Sequence, residues 1–238
     1  MTTSNNLIYA YSERRKLIIH DGKQYPMLFS TAMINAIIDG NKTQTRRIAN
    51  KNSNIDIGDI IWCRETWAET CDENGTPIIA YKVGLPRIIL GNEKQYELGA
   101  ENPIDWHIDN YPSCGRWKPS IFMPKFACRL FLYVKDKRMQ KLQEISDSDC
   151  IAEGISIVDY IDPETKTQPL YNNYQHGVKQ DWGFGDLSKT YAFSNPKDSY
   201  RTLWQSINGK DSWAENPDVF VYTFKKVDEN NLEKRTYI

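Results

Sequence analysis

The sequence predicts an α+β fold in which short helices flank a mixed set of strands and two long loop insertions leave it. Three observations carry that expectation. Apolar runs of strand length recur between turn residues, three short segments combine helical spacing with cap residues, and two polar stretches break the pattern at about residues 84–115 and 160–196. With 238 residues, 40% of them hydrophobic, the chain can bury one substantial core. The expected organisation is an N-terminal extension over 1–24 holding part of a hairpin, one domain over 25–228, and a charged tail over 229–238.

Taken in order, Leu17-Ile18-Ile19 and Tyr25 to Phe29 flank an Asp-Gly pair, a hairpin signal. Ser30-Thr31 then offers an N-cap, Ile34, Ile37 and Ile38 repeat at helical spacing, and Gly40 suits the residue after a helix end. From Ile55 a Gly58-Asp59 turn leads into a strand ending near Arg64, and Thr76 to Val83 reads as another after an Asn-Gly pair. Lys125 to Val134 is β-rich, and Ser146 to Gly154 is a compact helix with a serine cap and a glycine stop. Asn195-Pro196 opens a last helix whose Tyr200, Leu203, Trp204 and Ile207 share a face and which stops at Asn208-Gly209. Val219 to Phe224 alternates as a closing strand.

Composition narrows the function. Lys plus Arg (30) nearly cancels Asp plus Glu (31), which excludes a protein that coats nucleic acid non-specifically, so any such contact is local. No long uncharged apolar run and no signal-peptide core are found, so no membrane partner and a cytoplasmic location are expected. Five cysteines without C-x-x-C spacing read as reduced thiols, with Cys63 and Cys128 as core residues. His20, His107 and His176 form no ligand pair, so neither a metal nor another cofactor is expected. The 7 tryptophans and 14 tyrosines read first as core and second as base-stacking surface.

The most unusual stretch is polar and directly follows the first helix: Gly40-Asn41-Lys42-Thr43-Gln44-Thr45-Arg46-Arg47. With Met27-Leu28-Phe29-Ser30 before it and Gly58-Asp59 after it, this stretch resembles the opening of ASCH-domain proteins. Arg116-Trp117-Lys118-Pro119-Ser120, Met123-Pro124-Lys125, Arg129, the Ile145 to Gly154 helix and Leu203 to Lys210 are similar to a subgroup common in bacteriophage and prophage genomes. The resemblance implies a PUA-like mixed β-barrel with a cleft beside the first helix, and nucleic-acid-related work in the cytoplasm, of a host if the chain is phage-encoded. The fold alone does not decide the reaction.

One branch of that family hydrolyses the N4-acyl amide of acetylated cytidine with a lysine and a threonine of a Lys-Thr-x-Thr motif and a later glutamate. The resemblance thereby implies Lys42, Thr45 and Glu153 as catalytic residues, with Thr43, which completes the motif, and Arg46 and Arg47 expected to bind the nucleic acid or substrate beside them. This chain departs from that branch by its two insertions and by Arg46 where an apolar residue stands.

Chemistry offers roles for these residues. A lysine in a dehydrated cleft beside Arg46 and Arg47 loses its proton more readily and can serve as a base for the Thr45 hydroxyl. Glu153, in the last turn of a helix, faces the negative end of the macrodipole, which suits a general acid for a leaving amine. From spacing alone, however, Lys42 and Arg47 read as solvated charges at a helix exit, Thr45 as the start of a strand, and Glu153 as a surface residue. Arg64, Arg116, Lys118, Lys125 and Arg129 beside Trp67 and Trp117 would form a basic, aromatic rim for phosphates and bases. The same residues also read as core rings covered by cationic stems paired with acids.

Three functions follow as expectations. The first is binding of RNA or a modified nucleoside, with DNA as a further possibility, and hydrolysis of an N4-acylated cytidine. The second is a metal-independent ribonuclease that stabilises phosphate charge with Lys42 and the arginines. The third is a non-catalytic RNA or DNA reader, or a phage factor acting on its host.

Overall fold

A computed structural model describes residues 22–50, 54–71, 77–82, 88–89, 115–158, 170–172, 174 and 193–227. Most of the expected N-terminal extension and of both insertions, the three histidines and the charged tail lie outside the described residues. The fold is mixed α+β with a mostly sheet core and a few helices.

Among the described residues, ten strands and three helices follow one another. The strands are β1 (Gln24–Leu28), β2 (Gln44–Ile48), β3 (Ile60–Arg64), β4 (Trp67–Cys71), β5 (Pro77–Tyr81), β6 (Ile88–Ile89), β7 (Phe131–Lys141), β8 (Ile157–Val158), β9 (Leu170–Tyr171) and β10 (Asp218–Lys226). The helices are α1 (Thr31–Ile38), α2 (Asp147–Ala152) and α3 (Pro196–Asn208), and single 3-10 turns occur at Ser120–Phe122, Lys125–Ala127 and Leu142–Glu144. The residues group into two compact units. One comprises Met1–Asn35, Gly58–Val134 and Lys225–Ile238; the other comprises Ala36–Ile57 and Lys135–Phe224. The boundaries cut through α1, β7 and β10.

In the first unit the strand order is β1-β3-β7, with β4-β5-β6 as a separate antiparallel sheet. β1 runs parallel to β3, Gln24 facing Ile60 and Leu28 facing Arg64, so the Tyr25 to Phe29 run has a parallel partner across the sheet. Gly58, at φ +92°, makes the turn that starts β3, and Asp59 accepts a hydrogen bond from the Lys23 amide at 3.0 Å. Ile60, Trp67, Ile79, Tyr81, Met123, Cys128 and Phe131 pack into the core, which places Cys63, Cys128 and most described aromatics where the core reading had them. The β-rich stretch from Lys125 divides: Pro124 precedes a 3-10 turn, and the strand begins only at Phe131.

In the second unit the order is β7-β10-β2, and β2 pairs antiparallel with β10, Ile48 facing Val219 and Gln44 facing Thr223. β8 pairs with β9, so the second expected insertion carries a strand where its sequence lacks periodicity. α3 begins as its cap chemistry requires: Asn195 Oδ1 accepts from the Lys197 amide at 2.8 Å, and Pro196 takes the first helical position. Its buried stripe is Tyr200, Leu203 and Trp204, and burial of such a side chain stabilises by roughly 2 kcal/mol. No helix among the described residues is long and apolar enough to cross a membrane.

Candidate functional site

Backbone geometry brings residue 42 to residue 153. α1 starts with the Ser30 hydroxyl accepting from the Met33 amide and ends at Gly40, whose φ of +78° turns the chain out of the helix. The Lys42 amide then donates to Ala36 O at 2.8 Å and the Thr43 amide to Ala152 O at 2.9 Å, while Lys42 and Glu153 form an isolated antiparallel bridge. From the other side, α2 is capped by Ser146, which accepts from the Asp149 amide at 3.1 Å, and Glu153 is its C-cap residue. Gly154 follows at φ +81°. A β-carbon there would lie 2.8 Å from the β-carbons of both Ala36 and Lys42, so the close approach requires glycine.

The side chains form a buried ionic network. Lys42 Nζ donates to Glu153 O at 2.6 Å and to Glu153 Oε2 at 2.8 Å. Glu153 Oε1 accepts from Arg46 Nη1 at 2.9 Å, and the same nitrogen donates to Gln44 Oε1 at 2.7 Å. Arg46 Nη2 reaches Asp149 Oδ2 at 2.7 Å, where Arg138 Nη2 also arrives at 2.9 Å. Exposure falls along this chain from 37% for the Arg138 side chain and 21% for Asp149 to 4% for Glu153 and 2% for Lys42. The ammonium of Lys42 sits on the carbonyl of the C-cap residue of α2, so its charge offsets the negative helix end that the Glu153 carboxylate would otherwise meet alone.

Burial holds the Lys42 amine below its usual range, although Glu153 opposes the shift; Arg47 and Arg46 add to it. Asp149 is pushed up by its own partial burial, but Arg46, Arg138 and Gln44 hold its carboxyl below the ordinary value. The buried Cys150 thiol rises to about 12, mainly through desolvation, which leaves it inert. Burial also raises the Tyr200 phenol well above its usual value, with Glu153 contributing and Arg46 and Arg47 opposing.

Thr45 is held by a different partner. In β2, Gln44 and Arg46 share one face and bond to each other, whereas Thr45 and Arg47 share the opposite face, with Arg47 Nη1 donating to Thr45 Oγ1 at 2.7 Å. Lys42 and Glu153 meet on the Arg46 side. Thr43 is exposed and contributes its backbone, accepting from the Phe224 amide at 2.9 Å. Arg46 is spent on Gln44, Glu153 and Asp149 with no exposed side-chain surface. Sequence reasoning missed Asp149 and Gln44. The signal was available: Asp149 stands four residues before Glu153 on one helix face, and Gln44 stands two before Arg46 on one strand face.

The residues of the expected basic rim belong to the first unit, and most have partners inside it. Arg129 Nε and Nη2 hold Glu65 at 2.9 and 2.7 Å while the guanidinium lies 4.0 Å from the Tyr81 ring. Arg64 donates to the carbonyls of Met123 and Ile121 and stacks on Trp62. Lys118 reaches Glu69 at 3.5 Å and covers the buried Trp67 ring at 4.5 Å. Trp117 is half-buried with Lys82 Nζ over its ring, and Arg116 and Lys125 are exposed. Among the described residues no group of three His, Cys, Asp or Glu side chains is placed to hold a metal ion. No protein-family model, curated protein or solved structure matches this chain.

Proposed function

We propose that this chain is an ASCH-type protein with a PUA-like barrel, which binds an N4-acylated cytidine, free or in RNA, and hydrolyses its amide at the Lys42–Glu153 pair. One observation carries the reading. A lysine and a glutamate 111 residues apart, two of the three that the resemblance singles out as catalytic, share a 2.8 Å contact between buried side chains. A lysine whose proton is held loosely, against a carboxylate that can take one, is a proton-transfer pair.

The balance of the step runs through both groups. Water attacks the acyl carbon while the Glu153 carboxylate takes a proton from it. The C–N4 bond breaks as the Lys42 ammonium donates a proton to the departing amine, releasing cytidine and a carboxylic acid. Glu153 then returns its proton to Lys42 across their contact. Water is the nucleophile in this reading because the Thr45 hydroxyl accepts a hydrogen bond from Arg47 Nη1, a cation that does not take its proton.

Incubation of the purified chain with N4-acetylcytidine, followed by mass spectrometry, tests the proposal. Cytidine release that is lost in Lys42→Ala and kept in Thr45→Val is the expected result. Loss in Thr45→Val would return the nucleophile to the threonine. Shortened fragments from total RNA without cytidine would instead identify a nuclease, and binding without either product would identify a reader.

A further inference from the structure

We propose that Arg46 and Asp149 are positioning residues for this centre: Asp149 orients the Arg46 guanidinium, which holds one oxygen of Glu153 and thereby turns the other toward Lys42. The inference rests on the reading of Lys42–Glu153 as the reacting pair. Its basis is the geometry of the fork. Nη1 is fixed between Gln44 Oε1 and Glu153 Oε1, and Nη2 is fixed on Asp149 Oδ2, so the planar group is restrained from both ends. Asp149 and Glu153 stand four apart on the face of α2, where two carboxylates repel, and Arg46 is the cation that spans them. Asp149 makes no direct bond to Lys42 and is shared with the half-exposed Arg138, so its influence on the lysine passes through Arg46.

The charged and titratable groups around Lys42 come from four elements. Glu153 faces it from the end of α2, Arg46 and Arg47 act on it from β2, and behind them stand Asp149 and Cys150 of α2, Arg138 of β7 and Tyr200 of α3. Removing Arg46 takes away a competing cation and leaves the whole Glu153 carboxylate to Lys42, so the lysine holds its proton to higher pH. Removing the charge of Asp149 frees the guanidinium to draw Glu153 away, so the lysine releases its proton at lower pH. The two substitutions therefore move Lys42 in opposite directions, which loss of packing alone would not do.

The test follows the Nζ and Cε resonances of Lys42 against pH in the full chain labelled with 13C,15N-lysine. Arg46→Met is expected to raise the titration midpoint by about one pH unit. Asp149→Asn is expected to lower it, and Arg46→Lys, which keeps the charge without the fork, to depart from the native value. An unchanged midpoint in Asp149→Asn and Arg46→Lys overturns the inference, and these two variants decide it even if Arg46→Met does not fold. Midpoint shifts need no turnover. Shifts without cytidine release would sink the hydrolase reading alone, whereas cytidine release without shifts would sink the positioning role alone.

Discussion

Each unit of this protein buries a glutamate against arginine, and the two do it differently. In the first, Glu65 meets a single cation: both its oxygens accept from the Arg129 fork, and the Tyr81 ring covers the guanidinium while its hydroxyl donates to Ala127 O. One carboxylate, one fork and one aromatic lid make a closed pair whose cation never yields its proton. In the second, the oxygens of Glu153 are divided between Arg46 and Lys42, and Asp149 joins from one turn earlier in the helix. Dividing a carboxylate between two cations is a poorer way to balance charge, and it places an exchangeable proton in the interior. Burial of a charged pair is thus not by itself a sign of function; the presence of lysine and the excess of partners distinguish the second pair.

Breaking the pairs gives the largest expected effect. Glu65→Ala and Glu153→Ala each strand buried cations and should lose about 3–5 kcal/mol in urea unfolding. A loss below about 1 kcal/mol for Glu153→Ala would mean that Lys42 and Arg46 do not depend on this carboxylate, and the comparison would fail. Gly154→Ala comes next, at roughly 2 kcal/mol, since it crowds a β-carbon on a left-handed residue against the Ala36 and Lys42 side chains without removing any charge.

A pH series sharpens the contrast. Because the fold lowers the Lys42 value from 10.5, the unfolded chain binds the extra proton, and stability relative to Lys42→Met should rise with pH from the folded midpoint toward 10.5. Tyr200, raised above 10.0 in the fold, opposes this only at the top of that window. Asp149 behaves oppositely to Lys42: its depressed value stabilises above 3.8, and that contribution is lost as pH falls through the folded value, so Asp149→Asn should flatten the acid limb of the curve. The smallest effect belongs to Lys118→Ala. Its pair with Glu69 is about half-exposed and should be worth no more than about 0.5 kcal/mol.

What could be read in the sequence was mostly local. Ser30, Ser146 and Asn195-Pro196 mark the three helix starts, and Gly40, Gly154 and Gly209 their ends, because caps are satisfied by residues a few positions away. The strand Trp67–Cys71 was not read: its buried tryptophan and alanine are held by β5, a partner no local signal names. A parallel partner for β1 is likewise invisible from an Asp-Gly turn signal. At the site, spacing alone favoured solvated charges for Lys42 and Glu153, and only the resemblance joined them. The period of two over Gln44 to Arg47, which separates Thr45 from Arg46, is legible in the sequence, whereas the approach of Lys42 to a glutamate 111 residues away is not.

The boundaries between the units carry a last consequence. They fall between Asn35 and Ala36, Ile57 and Gly58, Val134 and Lys135, and Phe224 and Lys225, so each unit is stitched from separate stretches and three of the four cuts fall inside α1, β7 and β10. No single truncation yields either unit whole. A deletion series, the usual genetic route to assigning activities to parts of a protein, would therefore remove pieces of both units at once, and point substitutions are the way to dissect this chain.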